Sequence, residues 1–159
     1  MRAPQFALLG VCLLALSGGT VVVAQSGAAV PVNATFAPRT SLRISTRVLR
    51  FDVDSPDMPS AAVVEFSAGA RIAAGADIVL SVTPVRAIHG PGGAADVATS
   101  LTFQGEGPGT QGGSLTAAAP AIAARWVGSG LRRGRLVFSL RAGAPGTYTV
   151  PLEFVLSTP

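Results

Sequence analysis

The sequence predicts an all-β protein, an antiparallel β-sandwich of about eight strands. First, apolar side chains alternate with polar ones in many short runs, which is the pattern of a strand that buries one face. Second, turn signals rich in glycine and proline separate these runs at intervals of about 8–12 residues. Third, no stretch combines a helix cap with a 3.6-residue apolar stripe; the alanine-rich stretch 117–124 is broken by Pro120.

The stretch from Arg132 to Ser157 carries the strongest pattern. Two alternating apolar sets occur in it: Leu136, Phe138 and Leu140, and then Tyr148, Val150, Leu152, Phe154 and Leu156. A short Gly/Pro turn at 143–146 separates them, and two such runs joined by a short turn are typical of a β-hairpin. The sequence therefore predicts that these two strands pair side by side.

Pro151 interrupts the second of these runs. Because proline has no N–H to donate to a ladder, it is confined to edge strands or bulges. The last strand is therefore expected at a sheet edge or with a bulge, and an edge can accept a partner strand.

The remaining strands follow the same alternation. They are expected within 30–36, 42–53, 63–67, 78–83, 101–103, 115–117 and 122–126. The connections between them include 55–60, 69–75, 88–95 and the glycine-rich run 105–113, which is expected to be a mobile loop. Trp126 alternates with Ala124 and Ile122, so it is expected in the core.

The N-terminal 24 residues have the layout of a secretory signal peptide. Arg2 supplies positive charge, Phe6–Leu16 is apolar, and small residues precede a cleavage point after Ala24. The apolar run is shorter than the roughly 20 residues of a spanning helix. The expected organisation is a signal peptide at 1–24, an N-terminal extension or first strand at 25–39, and a sandwich domain at 40–159. The protein is expected to be exported, to a periplasmic, cell-surface or extracellular location.

Few residues suited to catalysis remain after such processing. Cys12 is the only cysteine, the chain has no lysine, and His89 is the one histidine, in a loop followed by Gly90-Pro91-Gly92-Gly93. Nucleophilic catalysis needs a positioned base, so no catalytic residue and no cofactor are expected. An enzyme would require a pocket that brings His89 together with an acid such as Asp96 or Glu106.

Asp52, Asp54 and Asp57 form the only acidic cluster that suggests a metal. Carboxylate oxygens suit calcium, but the loop lacks the glycine and the later glutamate of an EF-hand, and Pro56 interrupts it. A solvated strand end is the alternative interpretation, and no metal site is expected.

The twelve basic residues are all arginine, which holds the pI near 11.0 although the net charge is only +4. Arginines at 43, 47, 50, 125, 132, 133, 135 and 141 are candidates to gather on one face and meet an acidic surface or a polysaccharide. The alternative is a solvated face. Nucleic acid is not expected as a partner, because few aromatic residues are available for stacking.

The C-terminal strand resembles that of bacterial fimbrial subunits and related secreted immunoglobulin-like sandwiches. The similar features are Gly146-Thr147-Tyr148-Thr149, the alternation to Leu156, and an alternating N-terminal stretch from Val30 to Phe36. The resemblance implies that an N-terminal strand could be donated to a neighbouring subunit. Thr158 stands where those subunits carry a tyrosine, and their common disulfide is absent.

The sequence thus predicts an exported, non-enzymatic structural protein at the cell envelope, and the resemblance implies a fimbrial-like role. It would pair with itself or with another envelope protein through an edge strand. The candidate pairing residues are Val30, Val32, Phe36, Tyr148, Val150 and Phe154. The alternative is an extracellular carbohydrate- or calcium-binding module that uses the loops at 52–57, 89–93 and 105–113.

Overall fold

The computed structural model describes residues 37–56, 58–94, 100–116 and 119–159, with the side chains of residues 93 and 94 left out. Within these ranges the chain forms strands and turns and no helix, so the all-β prediction is confirmed. No helix in the described part is long and apolar enough to cross a membrane. Val30, Val32, Phe36, Asp57 and the expected signal peptide lie outside the described residues.

Eleven strands occur in the described ranges. They are β1 (Arg39–Ile44), β2 (Val48–Val53), β3 (Ser60–Arg71), β4 (Asp77–Pro84), β5 (His89–Gly90), β6 (Gly93–Ala94), β7 (Ser100–Glu106), β8 (Gly113–Leu115), β9 (Ala121–Val127), β10 (Gly130–Arg141) and β11 (Gly146–Ser157). β5, β6 and β8 have only two or three residues. The other eight match the number of strands predicted from the sequence.

The strands form two antiparallel sheets. The first sheet has the order β1-β3-β10-β7-β8. The second has the order β6-β5-β11-β4-β9, and β2 also pairs with β11. Every strand pair in the described residues is antiparallel, as the sequence predicts for a sandwich.

The core lies between the inner faces of the two sheets. Nearly every apolar residue that the alternation places inside is buried: Leu49, Phe51, Val53, Val64, Phe66, Ile78, Leu80, Val82, Leu101, Phe103, Leu136, Phe138, Leu140, Val150 and Leu152. Phe103 contacts Phe138 and Phe66 contacts Trp126, each pair with ring centroids 5.9 Å apart. Burying a side chain of this size contributes roughly 1.5–3 kcal/mol, so these rows hold the sheets together without a disulfide.

The predicted hairpin between the last two strands is wrong. β10 pairs with β3 and β7 in the first sheet, whereas β11 pairs with β2, β4 and β5 in the second. The four residues between them cross from one sheet to the other, with Ala142 buried and the Tyr148 hydroxyl donating to the Ala144 carbonyl at 2.8 Å. The two strands therefore face each other across the core. Alternation gives the buried face of each strand but does not give its neighbour.

Pro151 does not lie at a sheet edge. It pairs with Val48 of β2 on one side, and on the other its carbonyl accepts the Val85 N–H at 3.0 Å. β4 ends at Pro84, and Val85 follows directly. The segment after β4 therefore leaves the β4–β11 ladder at the point where Pro151 has no N–H to donate. A proline is tolerated inside the sheet there because the neighbouring strand ends beside it.

β9 departs from the predicted alternation. Its pairing with β4 shifts between Leu80 and Ser81, so that one extra residue of β9 is accommodated. Ala123 and Ala124 are therefore both buried, and Ile122 is 44% exposed rather than inside. Trp126, only 7% exposed, lies in the core as predicted.

The glycine-rich run 105–113 is a packed segment rather than a free loop. The Gln111 N–H donates to the Ala123 carbonyl, and the Arg125 N–H donates to the Gly109 carbonyl, each at 2.8 Å. The segment therefore covers the outer edge of β9. An uncovered strand edge can pair with another chain and promote aggregation, and a segment that covers the edge prevents this pairing.

Candidate functional site

The outer face of the first sheet concentrates positive charge. Side chains on a strand alternate between faces, and Phe66 and Leu136 point inward, so the odd-numbered residues of β3 and β10 point outward. Register with the neighbouring strands then places six exposed arginines on this face: Arg39, Arg43, Arg71, Arg133, Arg135 and Arg141. We call this surface the arginine face. Glu65 and Glu106 are its acidic residues in the described chain.

One row across three strands places two arginines on either side of a serine. Arg43 of β1 and Arg133 of β10 are both in register with Ser67 of β3. Because adjacent strands lie about 4.8 Å apart, the two arginine backbones are separated by roughly 10 Å, and the small serine lies low between them. Neither guanidinium forms an ion pair with another described residue. We call these three residues the Arg–Ser–Arg row.

The adjacent row carries charges that neutralise one another. Arg135 is in register with Glu65 on one side and with Glu106 on the other, and its guanidinium hydrogen-bonds the Glu106 carboxylate. This hydrogen bond holds the pKa of Glu106 below its ordinary value. The same bond, with a smaller contribution from the charge of Glu65, raises the pKa of Arg135. The Glu106 carboxylate is thus ionised at neutral pH and acts as a hydrogen-bond acceptor.

The two rows line an open groove of about 740 Å³. Arg43, Ser67 and Arg133 lie along it, together with Glu65 and Glu106. Its lining offers guanidinium donors, carboxylate acceptors and a hydroxyl close together. Such a combination suits a ligand that carries both negative charges and hydroxyl groups.

The arginine face has no aromatic platform. The outward positions of β1, β3 and β10 hold arginine, serine, glutamate and small or aliphatic residues. Bases of single-stranded nucleic acids bind by stacking on aromatic rings, and this surface offers none on those three strands.

The other arginines named from the sequence lie elsewhere. Arg132 is half-buried on the opposite side of β10, and Arg47 is exposed between β1 and β2. Arg50 and Arg125 point outward from the second sheet, where Arg125 pairs with Asp77 and Arg50 lies 3.6 Å from Asp52. The sequence therefore predicted only some of the arginines that lie on the arginine face. Arg39 and Arg71 were not among the named residues, because their position opposite each other follows from the β1–β3 register, which alternation does not give.

The residues predicted for strand pairing fall inside the domain where they are described. Tyr148, Val150 and Phe154 are buried at 4%, 0% and 9% exposure. Tyr148 and Val150 pair with Phe51 and Leu49 of β2, and Phe154 pairs with Val82 of β4. Their side chains thus fill the core, and only the backbone groups of these three residues are available to a partner.

The acidic cluster and the histidine are separate. The Asp52 carboxylate accepts the Thr147 hydroxyl at 2.8 Å and is exposed, as is Asp54. No group of three or more histidine, cysteine, aspartate or glutamate residues that could hold a metal occurs in the described ranges. His89 is exposed in the second sheet, whereas Glu106 belongs to the first, and Asp96 lies outside the described residues.

Comparison with known proteins gives no family for this chain. No family model matches it, and no curated protein matches it. Among solved structures, it is similar to TmCBM61 in complex with β-1,4-galactotriose, at 13% sequence identity and a TM-score of 0.31. That similarity covers 77% of this chain and 88% of the other.

Proposed function

We propose that this protein is a non-enzymatic binding module that holds an acidic polysaccharide on the arginine face. The supporting observation is the Arg–Ser–Arg row, in which two exposed guanidinium groups without described ion-pair partners flank a serine. Guanidinium groups bind carboxylates and sulfates in a forked geometry with two hydrogen bonds. Each such bond to a charged group contributes about 1.5–3 kcal/mol.

The composition of the groove favours a polysaccharide over a nucleic acid. Glu65 and Glu106 lie beside the arginines and would repel a chain as densely charged as a nucleic acid. The same carboxylates can accept hydrogen bonds from sugar hydroxyls. A glycan that carries both carboxylates and free hydroxyls satisfies both sets of groups.

Affinity measurements with arginine variants test this proposal. Arg43→Gln and Arg133→Gln remove the charge of the side chain and leave a shorter, neutral polar group. We expect each to weaken binding of polygalacturonate at least about tenfold, the loss expected for a charge-assisted hydrogen bond. Binding should also weaken as salt rises, because the groove is open to solvent.

Arg50→Gln is the matched control, because Arg50 is exposed on the second sheet, away from the groove. It should leave the affinity for polygalacturonate within about twofold of the parent value, which is small on the tenfold scale of a lost contact. Neutral dextran should not bind. Equal losses of affinity for Arg50→Gln and Arg43→Gln would show that binding depends on the overall positive charge, and this would contradict the proposed site.

A second candidate function is strand pairing, and one observation favours it. β2 flanks β11 only from Gly146 to Pro151, and Leu152 then donates its N–H to the Arg47 carbonyl at 2.7 Å. Beyond that point, the described residues give β11 only β4 as a partner, on its other side. Alternate residues of a strand direct their backbone groups to the same side, so those of Phe154 and Leu156 face this open edge.

In this candidate function, the segment 30–36 of a second copy of the protein pairs with that open edge of β11. The variant Val30→Glu/Val32→Glu should then shift the protein from oligomer to monomer in size-exclusion chromatography with light scattering. Asn33→Glu/Thr35→Glu, which places the charges on the opposite face of the same segment, is the control. If the parent protein is a strict monomer at high concentration, strand pairing between copies fails.

The location of the protein belongs to the same proposal. We propose export to the periplasm, the cell surface or the medium, with cleavage after Ala24. N-terminal sequencing of the protein recovered outside the cytoplasm should begin at Gln25. An N-terminus at Met1 or Arg2 would contradict processing.

A further inference from the structure

A second groove, of about 470 Å³, lies on the same face, further along β3. Its lining includes Arg39, Ser41, Gly69, Arg71 and Leu131. Register places these residues in two successive rows. Ser41, Gly69 and Leu131 form one, and Arg39 opposite Arg71 forms the next.

One neutral row separates the Arg–Ser–Arg row from the Arg39/Arg71 row. Ser67, Gly69 and Arg71 belong to three successive outward rows, each two residues from the last. At about 3.3 Å per residue, the Arg–Ser–Arg row and the Arg39/Arg71 row are roughly 13 Å apart. The row between them carries no charge.

The neutral row forms a low, partly apolar floor. Gly69 has no side chain, and a Cβ built there would lie only 2.7 Å from the Ser41 hydroxyl oxygen. Beside it, Leu131 is 57% exposed. An aliphatic patch of this kind can cover the C–H surface of a sugar ring, while the Ser41 hydroxyl can bond one of its oxygens.

We propose that a linear acidic polysaccharide lies lengthwise along β3 and occupies both charged rows at once. Its charged groups contact the Arg–Ser–Arg row and the Arg39/Arg71 row, and a sugar between them lies over Gly69 and Leu131. This inference rests on the proposed function and adds the direction, the minimum length and the charge spacing of the ligand. A short acidic sugar reaches one row only, whereas a chain that spans roughly 13 Å reaches both.

Length dependence of binding tests the inference directly. Oligogalacturonates of one, two, four and six sugars are titrated into the full-length mature protein by calorimetry. Affinity should rise with length and level off once the oligomer spans both rows. The hexamer should bind at least about tenfold more tightly than the dimer, the gain expected from one further set of charged hydrogen bonds.

Variants separate the two rows. Arg39→Gln should weaken hexamer binding at least about fivefold and leave dimer binding within about twofold of the parent, because the dimer can occupy the other row. Arg43→Gln should weaken both. Leu131→Ser should weaken the hexamer without changing its salt dependence, since the contact that it removes is apolar. Arg50→Gln, exposed on the second sheet and outside both grooves, is again the control, and thermal unfolding verifies that each variant is folded.

The outcomes distinguish this inference from the proposed function. Equal affinities for dimer and hexamer, or no effect of Arg39→Gln on the hexamer, would overturn lengthwise binding and leave a single-row site. If no oligomer and no polygalacturonate binds, the proposed function itself is wrong. Binding of single-stranded RNA or of anionic vesicles, with the same dependence on Arg43 and no binding of glycans, would replace the glycan with another class of partner and overturn both.

Discussion

The Trp126 indole N–H donates to the Pro108 carbonyl at 2.8 Å, and this bond ties the glycine-rich segment to the core. Trp126 in turn contacts Phe66 of the first sheet. The segment thus joins both sheets at one end of the sandwich. Gly109 permits that contact, because a glycine lets the backbone approach the indole ring.

Gly109 is the position where this approach is closest. Its φ of +75° favours glycine, and a Cβ there would lie 2.5 Å from the Arg125 carbonyl oxygen and 2.6 Å from the indole ring. We expect Gly109→Ala to lower the free energy of unfolding by more than about 2 kcal/mol, because strain and a clash act together. Urea unfolding followed by Trp126 fluorescence measures this.

Gly75→Ala is the matched control for Gly109→Ala. Gly75 has nearly the same φ, +80°, but nothing lies within 4 Å of its built Cβ. Gly75→Ala should lower the free energy of unfolding only by the backbone strain, about 1–2 kcal/mol. Equal losses at the two positions would show that the packing of the segment against Trp126 does not contribute to stability.

Ser129 connects the turn between β3 and β4 with the turn between β9 and β10. Its hydroxyl accepts the Ile72 N–H at 2.9 Å and donates to the Ile72 carbonyl at 3.0 Å. Ser129→Ala should therefore cost about 1 kcal/mol, since water partly replaces these exposed bonds. Thermal or urea unfolding measures the change. Ser114→Ala, an exposed serine on β8, is the control, and an equal loss there would contradict a specific role for Ser129.

The arrangement of β10 and β11 can be tested with engineered disulfides in residues 25–159, which contain no cysteine. Ser139 and Thr102 are in register on β10 and β7. Directly opposed residues have Cα atoms about 4.5–5.5 Å apart, within the range that a disulfide needs. The pair Ser139→Cys/Thr102→Cys should therefore oxidise readily, as measured by thiol titration and non-reducing mass spectrometry.

The contrasting pair is Ser139→Cys/Thr149→Cys. A hairpin with both apolar sets on one face would place Ser139 beside Thr149. In the structure the two residues point outward from opposite sheets, so no intramolecular disulfide should form. Efficient oxidation of this second pair would contradict the two-sheet arrangement of β10 and β11.

These comparisons show which parts of the fold can be predicted from the sequence. The buried faces of β2, β3, β4 and β10 follow from alternation. Side chains on a strand alternate between two faces, so the apolar set identifies the face that is buried. The partner of each strand does not follow from it: facing strands and paired strands carry the same pattern. The bulge that turns Ile122 outward and the covering role of Gly109 depend on contacts with distant strands.

The candidate site shows the same limit. Arg133 and Arg135 are close in sequence and were named as candidates, but Arg43 joins them only through the β1–β3–β10 register. The sequence offered one usable signal, a run of outward-facing arginines within a single strand. Combining it with the register of β3 would have been enough to find the Arg–Ser–Arg row.

The ion pair between Glu106 and Arg135 gives a pH-dependent prediction. The hydrogen bond from Arg135 lowers the pKa of Glu106. A carboxyl whose pKa is lower in the folded state stabilises the fold above its unfolded pKa, and this contribution is lost as the pH falls through the folded pKa.

Arg135→Gln should raise the pKa of Glu106, as measured by NMR titration of its side-chain carboxyl carbon. Because both groups are exposed, 0.5 M salt should reduce the difference between parent and variant. An unchanged pKa of Glu106 in the variant would show that the pair does not form in solution, and Arg135 would then be free to bind a ligand along with Arg43 and Arg133.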